Sequence, residues 1–273
     1  MVLLCIDIKS QFGAFNKPFS NTGGLLTYPF PPKTTVVGML GAILGYDLEK
    51  TVDRLMDFKI GVQPLRSIDT ETITYNCHYG GRKDRMVNIK QEIIITPDYR
   101  IFIEVYENSE NDEFIQEIRE LLQLNGIPTN IDSVGGGLDI LFENNLSYFS
   151  LYMGKNEFPL TYQKVDKSFD KLNFEEVDKY MPTECVVPRG LNSNPKVGDV
   201  EKIAGLEIKR PKPFNLFLVN DVPVKQTPDR KFIEFRNFFL KNKGNNNVMM
   251  INPQEDDGCS FYRDESNTLI ICF

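Results

Sequence analysis

The segment at residues 17–45, KPFSNTGGLLTYPFPPKTTVVGMLGAILG, constrains the fold more than any other part of this sequence. A polar run leads into an aromatic and proline-rich turn, and the turn passes into an apolar stretch that contains glycines. The proline pair before Lys33 favours a helix start, because the missing proline N–H has no partner in the first turn anyway. We predict a helix from about Thr34 to Leu44 that stops near Gly45.

Gly38 and Gly41 lie inside this predicted helix. Each costs about 1 kcal/mol of helix stability relative to alanine. Helices accept that cost where another backbone packs closely, so we expect a close neighbour at these positions. Asp47 is predicted to cap a second short helix that follows.

Short β-type runs and helical patterns alternate over the first 160 residues. Strands are predicted at 2–8, 58–65, 93–95, 100–106, 138–142 and 148–152, and the main helices at 34–44 and 111–125. Pro97 and Asp98 form a turn dipeptide between two of these strands. The resulting order of strand, helix, strand, strand, helix, strand is typical of a ferredoxin-like or RNA-recognition (RRM-like) fold.

The chain is therefore predicted to be an α+β protein with two domains. Residues 1–163 form a ferredoxin-like βαββαβ domain in this interpretation, and a polar excursion at about 66–90 forms an inserted β-hairpin, the thumb, between its second and third strands. Beyond residue 163, short β-type pieces alternate with Pro, Asn, Asp and Gly. This texture indicates a smaller, mostly β domain at 164–273, with a flexible loop at 241–247.

Composition excludes several classes of protein. The five cysteines are scattered and never form C-x-x-C, and His78 is the one histidine, so the sequence predicts neither a disulfide framework nor a metal site. The triple glycine at 135–137 does not fit the spacing of a dinucleotide or Walker A motif, and no cofactor is expected. The apolar runs are shorter than the roughly 20 residues of a spanning helix. We expect a cytoplasmic protein without a membrane partner.

Charge is distributed unevenly along the chain. The net charge is −7, which by itself speaks against nucleic-acid binding. However, residues 1–90 contain 11 Lys or Arg and 8 Asp or Glu, so this part is mildly basic and the remainder is acidic. A protein that grips a short RNA at one face fits this distribution, and so does one with no nucleic-acid role.

Two segments contain candidate RNA-binding residues. In the first, a loop offers hydroxyl groups and backbone amides to phosphates, and a basic residue lies at the start of the helix, where the dipole attracts anions; its candidates are Lys17, Ser20, Thr22, Thr27 and Lys33. In the second, basic groups alternate with rings that can stack on bases; its candidates are Arg66, Tyr75, His78, Tyr79, Arg82, Lys83, Arg85 and Lys90. The alternatives are an irregular strand-to-helix connection and a solvated surface loop.

Two further residues are candidates for a role at this site. Lys155 follows Gly154, which allows a tight bend, and its ammonium group can reach an anion; a simple turn at the end of the domain explains the pattern equally well. His78 is a candidate general base for RNA cleavage, but Tyr75, Tyr79 and Lys83 are near it in sequence only. A lone histidine in a polar loop is more often a contact residue.

The 17–45 segment resembles the N-terminal signature of the CRISPR-associated Cas five family of the RAMP superfamily. The signature has an aromatic–basic–proline start, a threonine, Tyr-Pro-x-Pro-Pro, a basic residue and G-x-L-x-A-I-L-G. Here these elements are Phe15, Lys17, Pro18, Thr27, the residues at 28–32, Lys33 and the residues at 38–45. The run LYMGKNEF at 151–158 is similar to the family's second signature. The form of the motif looks closest to the type I-B or I-A branch.

The resemblance implies a subunit of a type I Cascade surveillance complex in antiviral defence. Such a subunit caps the 5′ handle of the CRISPR RNA (crRNA) and lays its thumb across the RNA. Its expected partners are the crRNA, the backbone subunit of the Cas seven family and the large subunit of the Cas eight family. One branch of the family is a metal-independent endoribonuclease that uses tyrosine, lysine and histidine.

That catalytic trio cannot be placed in this sequence, since His78 stands alone. We therefore expect a non-catalytic RNA-binding subunit. The alternatives are a repeat-specific endoribonuclease that uses His78 with a nearby tyrosine or lysine, and a scaffold protein that binds no RNA.

Overall fold

The computed structural model describes residues 2–19, 24–78, 86–105, 151–165, 167–177, 181–189, 196–199, 216–241, 247–251 and 258–273. The N-terminal elements are β1 (Val2–Ser10), β2 (Phe12–Gly13), β3 (Phe15–Asn16), β4 (Thr27–Tyr28), α1 (Lys33–Ile43), α2 (Leu48–Leu55), β5 (Lys59–Pro64), β6 (Asp69–His78), β7 (Met86–Ile95), β8 (Asp98–Val105) and β9 (Leu160–Lys164).

The later elements are strands apart from one 3-10 turn, Phe174–Glu176. They are β10 (Asp170–Leu172), β11 (Met181–Thr183), β12 (Val187–Pro188), β13 (Lys196–Asp199), β14 (Leu216–Gln226), β15 (Phe232–Lys241), β16 (Asn247–Ile251), β17 (Ser260–Arg263) and β18 (Leu269–Cys272). The described part of the chain is thus α+β, mostly strands with two helices. No described helix combines the length and the apolar character needed to cross a membrane.

The first sheet has four antiparallel strands in the order β5–β8–β1–β9. This is the order that the strands of a βαββαβ unit adopt when β9 is its last strand. The strand β9 was missed by the sequence pattern, which placed the last strand earlier. The predicted helix at 111–125 and the predicted strand at 138–142 lie outside the described residues, as does most of the one at 148–152. The complete βαββαβ assignment therefore stays a prediction.

Both faces of β1 are covered, which explains its continuous apolar run. Leu4, Ile6 and Ile8 face one core cluster together with Val37 of α1. Cys5, on the opposite face, belongs to a second cluster with residues of β17 and β18. Because successive side chains of a strand point to opposite faces, a strand between helices and another sheet must be apolar at nearly every position.

The predicted helix at 34–44 and the short helix predicted after Asp47 are confirmed in position. Asp47 caps α2, and its Oδ1 accepts a hydrogen bond of 2.8 Å from the Lys50 N–H. Gly45 follows α1 with φ +67°, the left-handed conformation that glycine adopts readily. The expectation of a close neighbour holds for Gly41, where an added Cβ would lie 2.2 Å from Oγ1 of Thr51. It is wrong for Gly38, which has open space around it.

The C-terminal strands form a six-stranded sheet, β10–β17–β18–β11–β16–β13, and a three-stranded sheet, β12–β15–β14. Both pack against the N-terminal region. Phe273 exchanges two backbone hydrogen bonds with Ile60 of β5, of 3.1 and 3.2 Å. The ring of Phe238 lies 5.6 Å from that of Phe30 and 4.6 Å from that of Phe273, measured between centroids. One core thus contains residues from both predicted domains, and the boundary at 163 stays a prediction.

Candidate nucleic-acid interface

The paired strands β6 (Asp69–His78) and β7 (Met86–Ile95), which lie between β5 and β8 in the chain, are called the hairpin here. Its strands β6 and β7 pair continuously from Asp69 opposite Ile95 to His78 opposite Met86. The base of the hairpin is anchored, since Ile94 is 1% exposed and β2 pairs with the end of β7. Toward the other end Met86 is 61% exposed. The hairpin therefore leaves the core at its base, and β7 is exposed to solvent toward Met86.

The segment after residue 23 runs along β7. The N–H of Leu25 donates to the carbonyl of Lys90, and the N–H of Glu92 donates to the carbonyl of Leu25, both at 2.8 Å. The Thr27 N–H donates to the Glu92 carboxylate at 3.0 Å. The N–H of Lys17 in turn donates to the carbonyl of Leu26 at 2.9 Å. The polar N-terminal loop and the hairpin base therefore form one structural unit.

A cleft of about 510 Å³ lies where this unit meets β14. Its lining includes the charged residues Lys17, Glu92 and Asp221. Apolar side chains at the rim are unusually accessible, with Phe19 66% and Phe217 51% exposed. Phe19 also stacks at a tilt on Phe235, with 5.4 Å between ring centroids. The cleft thus combines exposed rings, on which bases can stack, with one cation and two carboxylates.

Tyr28 forms part of the cleft lining and is 1% exposed. Its hydroxyl group donates to the carbonyl of Asp221, which has φ +55°. Burial, with the nearby charge of Asp221, raises the pKa of Tyr28 to about 12, so the phenol stays protonated near neutral pH. The Lys17 ammonium lies 5.5 Å from the Tyr28 ring centroid. Tyr28 therefore links the N-terminal loop to β14.

A second group of polar residues lies on the hairpin near its base. Lys155 Nζ donates to Gln91 Oε1 at 2.6 Å and lies 5.6 Å from the Tyr75 ring centroid. Gly154 holds this turn in place, with φ +86° and so little room that a Cβ would lie 2.1 Å from the Ala14 carbonyl oxygen. Gln91 is 2% exposed, and its amide nitrogen has no hydrogen-bond partner among the described residues. We call Tyr75, Gln91 and Lys155 the hairpin patch.

Comparison with known sequences identifies the N-terminal part of the chain. Residues 3–99 match the family described as CRISPR-associated protein (Cas_Cas5). This N-terminal part of the chain is similar to the CRISPR-associated Cas5 family. The match covers β1 through the start of β8, and so includes the N-terminal loop, α1 and the whole hairpin. A comparison with curated proteins found no match.

Several solved structures show similarity to this chain. A crystal structure of a CRISPR protein from Archaeoglobus fulgidus has a TM-score of 0.51 and 10% sequence identity, over 100% of this chain and 99% of that one. A chain of a CRISPR RNA-guided surveillance complex has a TM-score of 0.41 and 14% identity, over 92% and 91% of the two chains. A chain of a Type III-B Cmr-beta complex bound to cognate target RNA has a TM-score of 0.43 and 10% identity, over 90% and 86%. The first similarity indicates a shared overall fold.

The structure places some of the predicted site residues together. Lys17 and Thr27 line the cleft, whereas Tyr75 and Lys155 meet in the hairpin patch. Thr27, however, is only 4% exposed. Its hydroxyl group accepts a hydrogen bond from the Phe15 N–H and donates one to the Tyr28 carbonyl. This hydroxyl therefore stabilises the loop, and its predicted phosphate contact has no support in the geometry.

Other predicted residues lie apart from these two groups. Arg66 forms an ion pair of 3.3 Å with Asp98, and Lys90 is exposed on β7. Lys33 lines a separate pocket whose described lining contains no residue of β6 or β7. For His78 the strand position alone is described. The remaining predicted site residues lie outside the described residues. They are Ser20, Thr22, Tyr79, Arg82, Lys83 and Arg85.

Sequence reasoning missed several residues of the cleft and one of the hairpin patch. Phe19 follows a proline in the polar loop, and its aromatic character next to Lys17 was an available signal. Gln91 sits in a β-type run with nothing to distinguish it. Phe217 and Asp221 reach the cleft from β14, nearly two hundred residues away in the chain. No local pattern connects such positions.

Proposed function

We propose that this protein belongs to the Cas5 family and is a non-catalytic RNA-binding subunit of a type I CRISPR Cascade complex, which caps the 5′ handle of the crRNA. The observation that carries the proposal is the hairpin β6–β7, which leaves the core between β5 and β8 with the cleft and the hairpin patch at its base. In this proposal the hairpin is the thumb of a ferredoxin-like domain. The match of residues 3–99 to that family supports the same reading.

The hairpin patch has the chemistry to hold a nucleotide. Lys155 supplies a point charge for a phosphate, and Tyr75 supplies a ring on which a base can stack. The amide nitrogen of Gln91, which lacks a partner among the described residues, offers a donor if the RNA displaces the side chain slightly. A buried donor without an acceptor costs about 1–3 kcal/mol. A ligand oxygen would recover part of that energy.

The modest charge of the chain fits a role shared with other subunits. With a net charge of −7, this protein neutralises few phosphates on its own. We propose that a backbone subunit of the Cas seven family and a large subunit of the Cas eight family complete the site. Exposed apolar side chains next to the cleft, such as Leu26 and Leu218, are suited to contact with such partners.

Binding of repeat-derived RNA to the purified protein tests the proposal. The double variant Tyr75→Leu/Lys155→Met should bind about tenfold or more weakly, because stacking on one ring contributes about 1–3 kcal/mol and one phosphate contact is lost as well. It should also show a smaller dependence on salt concentration. Lys167→Met is the matched control, since Lys167 is exposed and lies outside both groups. Unchanged affinity and salt dependence in the double variant would contradict the assignment of the hairpin patch.

The thumb tip is tested separately. The triple substitution of Arg82, Lys83 and Arg85 by glutamine should weaken RNA binding and co-purification with neighbouring subunits. If the triple variant binds the handle as the wild type does, the tip residues have no role in RNA recognition.

The absence of catalysis is part of the proposal and needs its own experiment. Repeat RNA incubated with the protein in EDTA should stay intact. Metal-independent cleavage that disappears in His78→Ala would replace this proposal with the alternative of a repeat-specific endoribonuclease.

A further inference from the structure

A small pocket at the start of α1 lies outside the proposed RNA-binding surface. Its volume is about 160 Å³. It is formed where α1, the end of α2, the start of β5 and the β14–β15 hairpin meet. The charged residues of its lining are Lys33, Asp57, Lys59, Lys225, Glu234 and Arg236.

Positive charge exceeds negative charge in this pocket. Two of its cations have carboxylate partners: Lys225 pairs with Asp57 at 3.3 Å and Arg236 with Glu234 at 3.0 Å. Lys59 donates to the Ser260 hydroxyl at 3.0 Å, a neutral acceptor. The ammonium groups of Lys33 and Lys59 are therefore left without a side-chain carboxylate among the described residues.

Lys33 is the least well satisfied of these cations. Its ammonium group has three donors, and its hydrogen bond among the described residues is a long one, 3.5 Å, to the carbonyl of Phe273. Burial, reinforced by the charge of Arg236, lowers the pKa of Lys33 to about 8, which Asp57 and Glu234 only partly offset. At neutral pH the pocket thus contains a desolvated cation that an anion would stabilise.

We propose that this pocket binds a phosphate group. Lys33, Lys59 and Arg236 line the pocket together. A tetrahedral anion suits such a set of donors, because it accepts hydrogen bonds in several directions at once. The guanidinium fork of Arg236 suits bidentate contact with phosphate oxygens, and the lysines act as point charges. The volume is several times that of one water molecule, about 30 Å³, and admits a phosphate with one or two waters.

The phosphate can come from free inorganic phosphate or from the end of an RNA. The described lining contains no residue of β6 or β7, so the proposal does not depend on the hairpin patch. An RNA end brings a nucleotide that must also fit at the pocket, whereas the free anion does not. An experiment with inorganic phosphate and with 5′-phosphorylated RNA therefore separates the two sources.

Isothermal titration calorimetry with inorganic phosphate at pH 7 tests the proposal, with chloride at equal ionic strength as the reference. The wild type and Lys167→Met should bind phosphate. Lys33→Met and Arg236→Gln should each bind at least about tenfold more weakly, the change expected for loss of one charged hydrogen bond. Arg236 is partly exposed, so its variant keeps the test valid if Lys33→Met fails to fold.

Absence of phosphate binding to the wild type at concentrations up to about 10 mM would overturn the proposal. A dissociation constant above that limit corresponds to a binding free energy of less than about 3 kcal/mol. Equal binding by the wild type, Lys33→Met and Arg236→Gln would overturn it too. A second arm compares one RNA with a 5′-phosphate and with a 5′-hydroxyl. Preference for the phosphorylated form that is lost in Arg236→Gln identifies an RNA end as the source, whereas phosphate binding with no such preference identifies the free anion.

Discussion

Arg100 of β8 donates to both carboxylate oxygens of Asp7 in β1, through Nε at 2.7 Å and Nη2 at 2.8 Å. The two residues are directly opposite each other in the antiparallel register. The hydrogen bond to Asp7 also raises the pKa of the Arg100 guanidinium. This bidentate pair joins the two central strands of the first sheet at a point where polar side chains interrupt an apolar pattern.

Asp7→Asn should lower the free energy of unfolding by about 1–3 kcal/mol, because it removes one charged partner of a bidentate pair. Urea denaturation followed by circular dichroism measures this change. Asp170→Asn is the control, since Asp170 is 71% exposed and lies 3.5 Å from Arg263; its effect should stay below about 0.5 kcal/mol. Equal effects of the two substitutions would show that the Asp7 pair is no stronger than a surface contact.

The two glycines of α1 should respond in opposite directions to substitution by alanine. Gly38→Ala should raise stability by up to about 1 kcal/mol, because the added methyl group meets nothing and alanine favours the helix. Gly41→Ala should lower it, by about 1–3 kcal/mol, because the methyl group overlaps the Thr51 side chain. Thermal unfolding of both variants checks this pair. Stabilisation by Gly41→Ala would mean that α1 and α2 separate at little cost.

Lys33 should make the stability of the protein depend on pH above neutrality. Its pKa is about 8 in the folded state and about 10.4 in the unfolded chain, so the unfolded state binds more protons between these values. Stability should therefore rise with pH across that interval, relative to Lys33→Met, and the difference should be level below pH 8. Denaturant unfolding of both proteins from pH 7 to 10.5, without phosphate, measures this. A constant difference throughout would rule out a desolvated Lys33.

Lys171 should be essential to the burial of Glu104. The Glu104 side chain is 0% exposed and accepts a hydrogen bond of 2.7 Å from Lys171 Nζ. Burial raises the pKa of this carboxyl, but hydrogen bonds from Lys171, Ser260 and Tyr262 and the charge of Lys171 together outweigh burial and hold the pKa below its ordinary value. Lys171→Met should lower stability by about 3 kcal/mol at pH 7, since it leaves a buried charge without its ion-pair partner.

The loss should shrink as pH falls toward 4, because the buried carboxyl of the variant then takes up a proton. The double variant Glu104→Gln/Lys171→Met should recover much of the stability at pH 7. Unfolding curves at both pH values test these expectations. A loss that is equal at pH 4 and pH 7 would argue against a buried charge.

Local signals in the sequence predicted the local elements correctly. Proline at the start and Gly45 at the end bounded α1, Asp47 capped α2, and the apolar run at the N-terminus gave β1. These features depend on residues within a few positions of one another.

Contacts between distant parts of the chain were beyond sequence reasoning. Nothing near Lys33 indicates that Arg236 and Phe273 lie against it, and its assignment to the RNA-binding loop followed from sequence proximity. The cleft residues Phe217 and Asp221 are in the same situation. For Thr27 the sequence indicated a hydroxyl group available to a phosphate. In the structure this hydroxyl group forms its hydrogen bonds within the loop instead.

The pairing of Ile60 with Phe273 has a consequence for synthesis of the protein. During translation β5 emerges long before the residue that satisfies its backbone N–H and carbonyl groups. Until Phe238 and Phe273 arrive, the ring of Phe30 lacks its aromatic neighbours. A nascent chain interrupted early therefore exposes an apolar face to chaperones and proteases, and only ribosomes that translate through codon 273 release a chain able to bury it.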